Sequence, residues 1–175
     1  MQCLRDYFGQ LFALAQTASP SGHSPSKQKQ ATHAISPVKW HAYIRPDMAC
    51  NIYSFVDFWL GELCRFHERK HKLDLSVKDI KAQNDFETYH KYLTKVASLS
   101  LQSVRVSHDH LNNLRKVRNC LIHAGSHVQQ QQIAAIRQIP GIRVLDSGSL
   151  IVIADSFIWD SLDHAKTYLC AVAEA

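Results

Sequence analysis

Long apolar runs are missing from this sequence. No segment approaches the roughly 18 consecutive apolar residues that a helix needs to cross a bilayer. Leu11–Ala15 is apolar, as in a signal peptide, but Asp6 and Gln10 interrupt the apolar pattern and Arg5 alone supplies positive charge before it. We therefore expect a cytoplasmic protein that neither crosses a membrane nor is secreted.

The sequence also lacks the common signatures of nucleotide-binding and hydrolytic enzymes. It contains no P-loop, no G-x-G-x-x-G and no nucleophile elbow. The five cysteines are odd in number and scattered, which is typical of reduced core residues and not of a disulfide framework. They are Cys3, Cys50, Cys64, Cys120 and Cys170.

What the sequence does contain is enough apolar material for one globular domain. Of its 175 residues, 46% are hydrophobic, a fraction too high for a disordered chain. The formal net charge is +5, with 11 histidines besides. This basic excess is compatible with a nucleic-acid partner without requiring one.

Hydropathy patterns divide the predicted single domain, residues 1–175, into three parts. Helical spacing of apolar residues predicts an N-terminal helix over 1–17. Residues 18–40 are polar and proline-containing, which indicates a linker or loosely ordered arm. Residues 41–175 are predicted to form the core, a mostly α helical bundle with one small β-hairpin at about 142–153.

Three helices are predicted in the first part of this core. A wide apolar face indicates a long helix from about Met48 to His71. Asn84, followed by Glu87, predicts a capped helix start, and the pattern continues through Val96. The third helix is expected to begin at an N-cap, Ser107, and to end before Gly125. Its apolar positions are Leu111, Leu114, Val117, Leu121 and Ile122.

The residue pattern of the C-terminal part changes twice along the chain. Residues 126–138 predict a short helix that Pro140 stops. Two β-branched runs within Ile142–Ile153 flank a Ser- and Gly-containing turn, which predicts the hairpin. Asp155 or Ser156 is expected to cap the last helix.

The stretch "VRNCLIHAG" places three polar side chains at the end of the third helix. Asn119 and His123 are four apart and share a face, whereas Arg118 lies about 140° round the helix from His123. Histidine transfers protons near neutral pH, and arginine offers a fork of donors to phosphate oxygens. Together they suit cleavage of RNA by its own 2′-OH, which needs no metal. Alternatively, these residues are only a solvated helix end, where a cationic histidine favours the helix dipole.

"RNCLIH" resembles the R-x4-H signature of the HEPN superfamily, in its form with Asn directly after the arginine. "YSFVDFWLGELC" is similar to the long HEPN helix that carries an acidic residue facing the active site. Asp57 matches that position, although Glu is more often found there. "LSVKDIKAQNDFETYHKYLTKV" resembles the connecting segment of several bacterial HEPN proteins, so the resemblance covers roughly residues 45–125.

The resemblance implies a homodimeric, metal-independent endoribonuclease without a cofactor, whose two motif helices meet at the dimer interface. His123 would be general base or acid, Arg118 would neutralise the phosphorane, and Asn119 and Asp57 would orient them. Such proteins often serve as toxins of toxin–antitoxin pairs or in phage defence, so an antitoxin is a further expected partner. The alternative is a non-catalytic HEPN module that dimerises or binds a partner protein or a nucleotide.

Other histidines and cysteines offer weaker candidates. Cys64-x2-His67-x3-His71 has zinc-ligand spacing, but it is crowded by positive charge and no fourth ligand is evident. Cys120 is expected in the core. His127 follows His123 at a chelating distance in sequence, but Gly125 is expected to break the helix between them.

Two further groups of polar residues are predicted to lie on the surface. The basic run Arg65–Lys81 either guides RNA phosphates or forms an ordinary solvated face, and the second interpretation is favoured. His108 and His110 are expected to be surface groups at the start of the motif helix.

Overall fold

The computed structural model describes residues 37–145 and 149–175, with side chains from residue 44 onward. The helix predicted over 1–17 and residues 18–36 of the predicted linker lie outside the described residues. Residues 37–40, expected to be part of that linker, are instead helical.

Helix α1 runs from Pro37 to His71, so its predicted start near Met48 was too late. Pro46 lies inside the helix, although proline removes a backbone hydrogen bond there. Ile44 packs against the core, and Met48 and Ala49 are fully buried. Burial on both sides of Pro46 offsets the local penalty, which propensity alone does not reveal.

The predicted cap at Asn84 is confirmed. Its Oδ1 accepts a hydrogen bond of 3.1 Å from the Glu87 backbone N–H, and helix α2 spans Asp85–Lys91. The chain continues as a π-helical turn over Tyr92–Val96, where the sequence predicted an uninterrupted α-helix. The adjacent Tyr92 and Leu93, at the start of this turn, are both buried.

Helix α3, which carries the motif, spans Arg105–His123. The prediction of Ser107 as its N-cap was wrong, because a 3₁₀ turn at Gln102–Val104 leads directly into the helix. Ser107 is buried inside α3, and its hydroxyl lies 3.1 Å from Nδ1 of His164. The predicted end is confirmed, since Gly125 adopts a positive φ of 54° just beyond the helix.

The remaining elements follow the predicted order. A 3₁₀ turn at Gln130–Gln132 leads into helix α4, Ile133–Arg137. Strand β1, Ile142–Leu145, pairs antiparallel with β2, Leu150–Ile153, which confirms the hairpin. The turn between them, residues 146–148, lies outside the described residues.

Helix α5 spans Asp155–Glu174, and its N-cap is Ala154, not Asp155 or Ser156 as predicted. The Asp155 carboxylate instead accepts a hydrogen bond of 2.5 Å from Nε of Arg45, which ties the start of α5 to α1. The Asp155 side chain, which was predicted to cap α5, thus binds a residue that is distant in sequence.

Helices α1, α3 and α5 pack against one another around the core, and buried residues of both hairpin strands belong to the same core. On α3, Leu111, Leu114 and Val117 are fully buried in this packing, whereas Ile122 is 50% exposed. The fold is therefore mostly α with a C-terminal hairpin, as predicted. Among the described helices, none is long and apolar enough to cross a membrane.

Candidate functional site

Arg118 lies on the side of α3 that faces α1. Its Nη1 donates a hydrogen bond of 3.1 Å to Oδ1 of Asn119, the next residue. Its guanidinium carbon lies 5.8 Å from the centroid of the Tyr53 ring. Within the described part of the chain, its buried Nε has no hydrogen-bond partner, so one donor of the guanidinium makes no hydrogen bond.

The positive charge of this guanidinium acts on three residues of one face of α1. Cys50, Tyr53 and Asp57 are spaced three and four apart, which aligns them along the helix. Burial raises the pKa of the Asp57 carboxyl, Asp85 raises it further, and the positive charge of Arg118 opposes both. Burial also raises the pKa of the Cys50 thiol, again against the charge of Arg118. The charge of Arg118 on α3 thus acts on the Asp57 carboxyl on α1.

An open cleft of about 400 Å³ separates the C-terminal half of α3 from the segment that follows it. Asn119 and His123 line this cleft from the helix, and the His123 side chain is exposed. Arg118 and Asp57 are not among its lining residues. Within one chain, the four predicted site residues are therefore divided between two neighbouring regions. Asn119 and His123 line the cleft, and Arg118 and Asp57 lie outside it. The hydrogen bond from Arg118 to Asn119 connects the two regions.

The cleft has a cationic lining. Arg115 and Lys116 both border it, and no aspartate or glutamate is found among the described residues that line it. Arg115 is oriented by donating from Nε to Oδ1 of Asn112 at 3.0 Å. Such a lining suits a phosphate-bearing ligand, because no carboxylate competes for its cations.

His127, which sequence reasoning considered only as a metal ligand and set aside, also lines the cleft. The sequence placed it beyond a helix break and therefore away from His123. The break is real, but consecutive positive φ values at Gly125 (54°) and Ser126 (70°) turn the chain back toward α3. Gly125 was the available signal, since a left-handed residue at a helix end reverses chain direction.

The Cys64, His67 and His71 cluster does not form a ligand set. Cys64 and His67 are fully buried, and burial raises the pKa of the Cys64 thiol to about 12. Nε2 of His67 donates to the Val172 carbonyl at 2.8 Å, which anchors α1 to α5. Among the residues that the structure describes, no three His, Cys, Asp or Glu side chains are grouped so as to hold a metal ion.

Cys120 is buried, as expected, and its thiol pKa is raised by that burial, which disfavours the reactive thiolate. Within the basic run, Arg65 pairs with Glu62 on the surface of α1. No residue of Arg65–Lys81 borders the cleft.

The expectation that His108 and His110 are surface groups was wrong. Only 12% of the His108 side chain is exposed, and its ring lies 4.1 Å from that of His90. Nε2 of His110 donates to Oγ of Ser161 at 2.9 Å, because the Ser161 hydroxyl donates its own proton to the Phe157 carbonyl. Both histidines connect α3 to its neighbours, which helical periodicity within α3 could not show.

No protein-family model, curated protein or solved structure matches this chain. The HEPN resemblance therefore depends on the sequence segments that carry it, within roughly residues 45–125.

Proposed function

We propose that this protein is a metal-independent endoribonuclease of the HEPN type. The observation that carries the proposal is the position of Asn119, which holds Arg118 on one side and lines a cationic cleft with His123 on the other. A proton-transfer group, a phosphate-binding fork and an open cationic cleft are the requirements for metal-free RNA cleavage.

In the proposed reaction, the ribose 2′-oxygen attacks the adjacent phosphorus. His123 either takes the proton of the 2′-hydroxyl or gives a proton to the leaving 5′-oxygen, and a second group carries out the other transfer. The bond from phosphorus to the 5′-oxygen breaks, and that oxygen leaves with a proton. The products are a 2′,3′-cyclic phosphate and a 5′-hydroxyl. Arg118 stabilises the charge that develops on the phosphorane oxygens, Asn119 orients the guanidinium, and Asp57 holds it from α1.

The proposal includes a homodimer, because Arg118 and the cleft face different sides of one α3. A second copy packed beside the end of α3 would bring one chain's Arg118 to the other chain's cleft. Leu111, Leu114 and Val117 are buried by packing within the chain. Val106 is exposed at the start of α3 and Ile122 at its end, so Ile122 is the exposed apolar residue close to Arg118 for such a contact. Light scattering at tens of micromolar should show two copies, and a monomer under those conditions would contradict the composite site.

We further propose that the enzyme acts in the cytoplasm as a toxin of a toxin–antitoxin pair or in phage defence. Uncontrolled cleavage of cellular RNA arrests growth, so a neutralising partner would be needed. Induced expression should slow growth, and sequencing of RNA 5′-hydroxyl ends should reveal the cleaved sites. Normal growth with unchanged RNA ends would oppose this role.

A second candidate is a non-catalytic HEPN module that binds a partner protein. The observation in its favour is a group of exposed aromatic side chains on α1, namely Phe58, Trp59 and Phe66. Aromatic residues are enriched in protein interfaces, so their exposure indicates a contact surface. This candidate predicts no RNA cleavage by the purified protein.

The two candidates separate in a cleavage assay on a labelled RNA. We expect the wild-type protein to produce 2′,3′-cyclic phosphate and 5′-hydroxyl ends, and His123→Ala to be slower by roughly 10² to 10⁴. His71→Ala is the matched control, because His71 is exposed at the far end of α1 and lies outside the cleft. Equal rates for His123→Ala and wild type would support the non-catalytic module.

A further inference from the structure

Transesterification of RNA needs two proton transfers, and the imidazole of His123 can carry out one of them. One group removes the proton of the 2′-hydroxyl, and another gives a proton to the departing 5′-oxygen. The entering and leaving oxygens lie on opposite sides of phosphorus in an in-line displacement. A second proton-transfer group must therefore reach the phosphate from the side opposite to His123.

His127 is the candidate for this second group, because it lines the same cleft from a different segment of the chain. His123 projects from the last turn of α3, whereas His127 belongs to the segment that leads toward α4, and both line the same space. The cationic Lys116 borders the cleft as well. We infer that His127 is a catalytic residue, the second proton-transfer group of the cleft, acting on the same phosphate as His123 of the same chain. This inference rests on the proposed ribonuclease function.

The backbone around His127 is held rigidly. Its N–H donates to the Ala124 carbonyl at 3.0 Å, and the preceding Ser126 N–H donates to Cys120 at 3.1 Å. His127 also forms a β-bridge with Leu150 of the hairpin. The hairpin and the end of α3 together fix the position from which the imidazole extends. Catalytic groups on a backbone fixed in this way are held more accurately than groups on a free loop.

The backbone hydrogen bonds of this segment do not depend on the His127 side chain, so the side chain can be replaced. The His127 side chain is exposed, and the hydrogen bonds that hold this segment are made by the backbone, so we expect His127→Ala and His127→Gln both to fold. Circular dichroism melts of the two variants check this, and rates are compared at a temperature where both are fully folded. Any loss of rate then reports chemistry.

The first test is the pH dependence of RNA cleavage. We expect a bell-shaped wild-type profile, since one histidine must be neutral and the other protonated. His123→Ala and His127→Ala should each lose roughly 10² to 10⁴ in rate, and each should lose a different limb of the bell. His71→Ala should keep the wild-type rate and both limbs. A His127→Ala variant that keeps its rate, or loses rate with both limbs intact, would overturn the inference.

The second test uses an oligonucleotide with a bridging 5′-sulfur at the bond that the wild-type protein cuts. A thiolate leaves without being protonated, so the general acid is no longer needed. One of the two histidine variants should regain most of the wild-type rate on this substrate, and the other should not. Rescue of both variants, or of neither, would show that the two histidines do not divide the acid and base roles.

The third test asks whether both histidines act within one chain. His123→Ala and His127→Ala are co-expressed so that mixed assemblies form. If both groups serve the cleft of a single chain, the mixture stays as slow as either variant alone. Recovery of a substantial part of the wild-type rate would mean that different copies supply them, which would overturn the single-chain assignment.

Failure of this inference is distinguishable from failure of the proposed function. A wild-type protein that cuts no RNA would remove both. A wild-type protein that cuts RNA and depends on His123 but not on His127 would remove the inference alone.

Discussion

The guanidinium of Arg118 lies over the ring of Tyr53, with 5.8 Å between the guanidinium carbon and the ring centroid. A planar cation on an aromatic face is fixed in orientation as well as in position. Asn119 accepts from one end of the same guanidinium. Two contacts within the chain thus hold the guanidinium of Arg118.

We predict that this orientation makes Arg118 irreplaceable by lysine. Arg118→Ala should slow RNA cleavage by roughly 10² to 10³, by analogy with the loss of an oxyanion-hole donor. Arg118→Lys should be nearly as slow, because an ammonium cannot reproduce the donor fork. Cleavage rates under single-turnover conditions measure both. Arg143→Ala, an exposed position on β1, is the matched control, and full activity of Arg118→Lys would show that charge alone suffices.

Cleavage should not depend on metal ions. Proton transfer and an arginine supply the chemistry in the proposed mechanism, so the rate in excess EDTA should equal the rate without it. Activity that vanishes with EDTA and returns with zinc or magnesium would contradict the mechanism. His123 and His127 would then become the first residues to test as ligands.

Asp57 should make stability depend on pH in a defined direction. Its pKa is raised, chiefly by burial, so its protonated form favours the fold and that contribution is lost as pH rises through the folded-state value. Asp57→Asn cannot ionise. The free energy of unfolding of this variant, relative to wild type, should therefore be higher at about pH 7 than at about pH 4.

Urea denaturation at the two pH values measures this difference. The matched control is Asp74→Asn, because Asp74 has an exposed side chain. A relative stability that falls between acid and neutral pH would show that the positive charge of Arg118 outweighs burial at Asp57.

His110 should make the protein sensitive to acid. Burial, and next the charge of His164, lower its pKa to about 4, so the unfolded chain binds its proton first. Its stabilising contribution is complete above the ordinary histidine pKa, about 6.5, and is lost as pH falls toward the folded-state value. After a discount for partial exposure, the loss should be about 2 kcal/mol of unfolding free energy.

Urea denaturation across this range, with wild type and His110→Gln, measures the effect. His110→Gln should lose less stability than wild type as pH falls. It should still lose some, because burial also lowers the pKa of His90. His71→Gln should follow wild type. A His110→Gln profile as steep as that of the parent protein would contradict the assignment.

Two glycines with positive φ should differ in their tolerance of alanine. At Gly141 (φ 77°) a Cβ would meet Cβ of Phe157 at 2.8 Å, so Gly141→Ala should cost about 2 kcal/mol or more. At Gly125 (φ 54°) a Cβ would meet nothing within 4 Å, so Gly125→Ala should cost only about 1 kcal/mol of backbone strain. Thermal or urea unfolding of both variants tests the difference, and equal losses would contradict it.

Local sequence patterns were sufficient for most elements of the fold. Asn84 and Gly125 mark helix ends through their own side chain or backbone, and β-branched alternation marks the hairpin. Such signals involve residues close in sequence, so they can be interpreted without the fold. The motif residues Arg118, Asn119 and His123 were recognisable for the same reason, since they lie within a single turn and a half of helix.

Tertiary packing decided the rest. Serine and aspartate often cap helices, but the side chains of Ser107 and Asp155 form hydrogen bonds with residues distant in sequence. Their partners are His164 and Arg45 respectively. The start of α1 depends on burial around Pro46, which no local preference anticipates. His127 reaches the cleft of His123 only because two left-handed residues turn the chain and the hairpin holds it there. A contact of this kind depends on backbone direction across a turn, and hydrophobic periodicity carries no information about that direction.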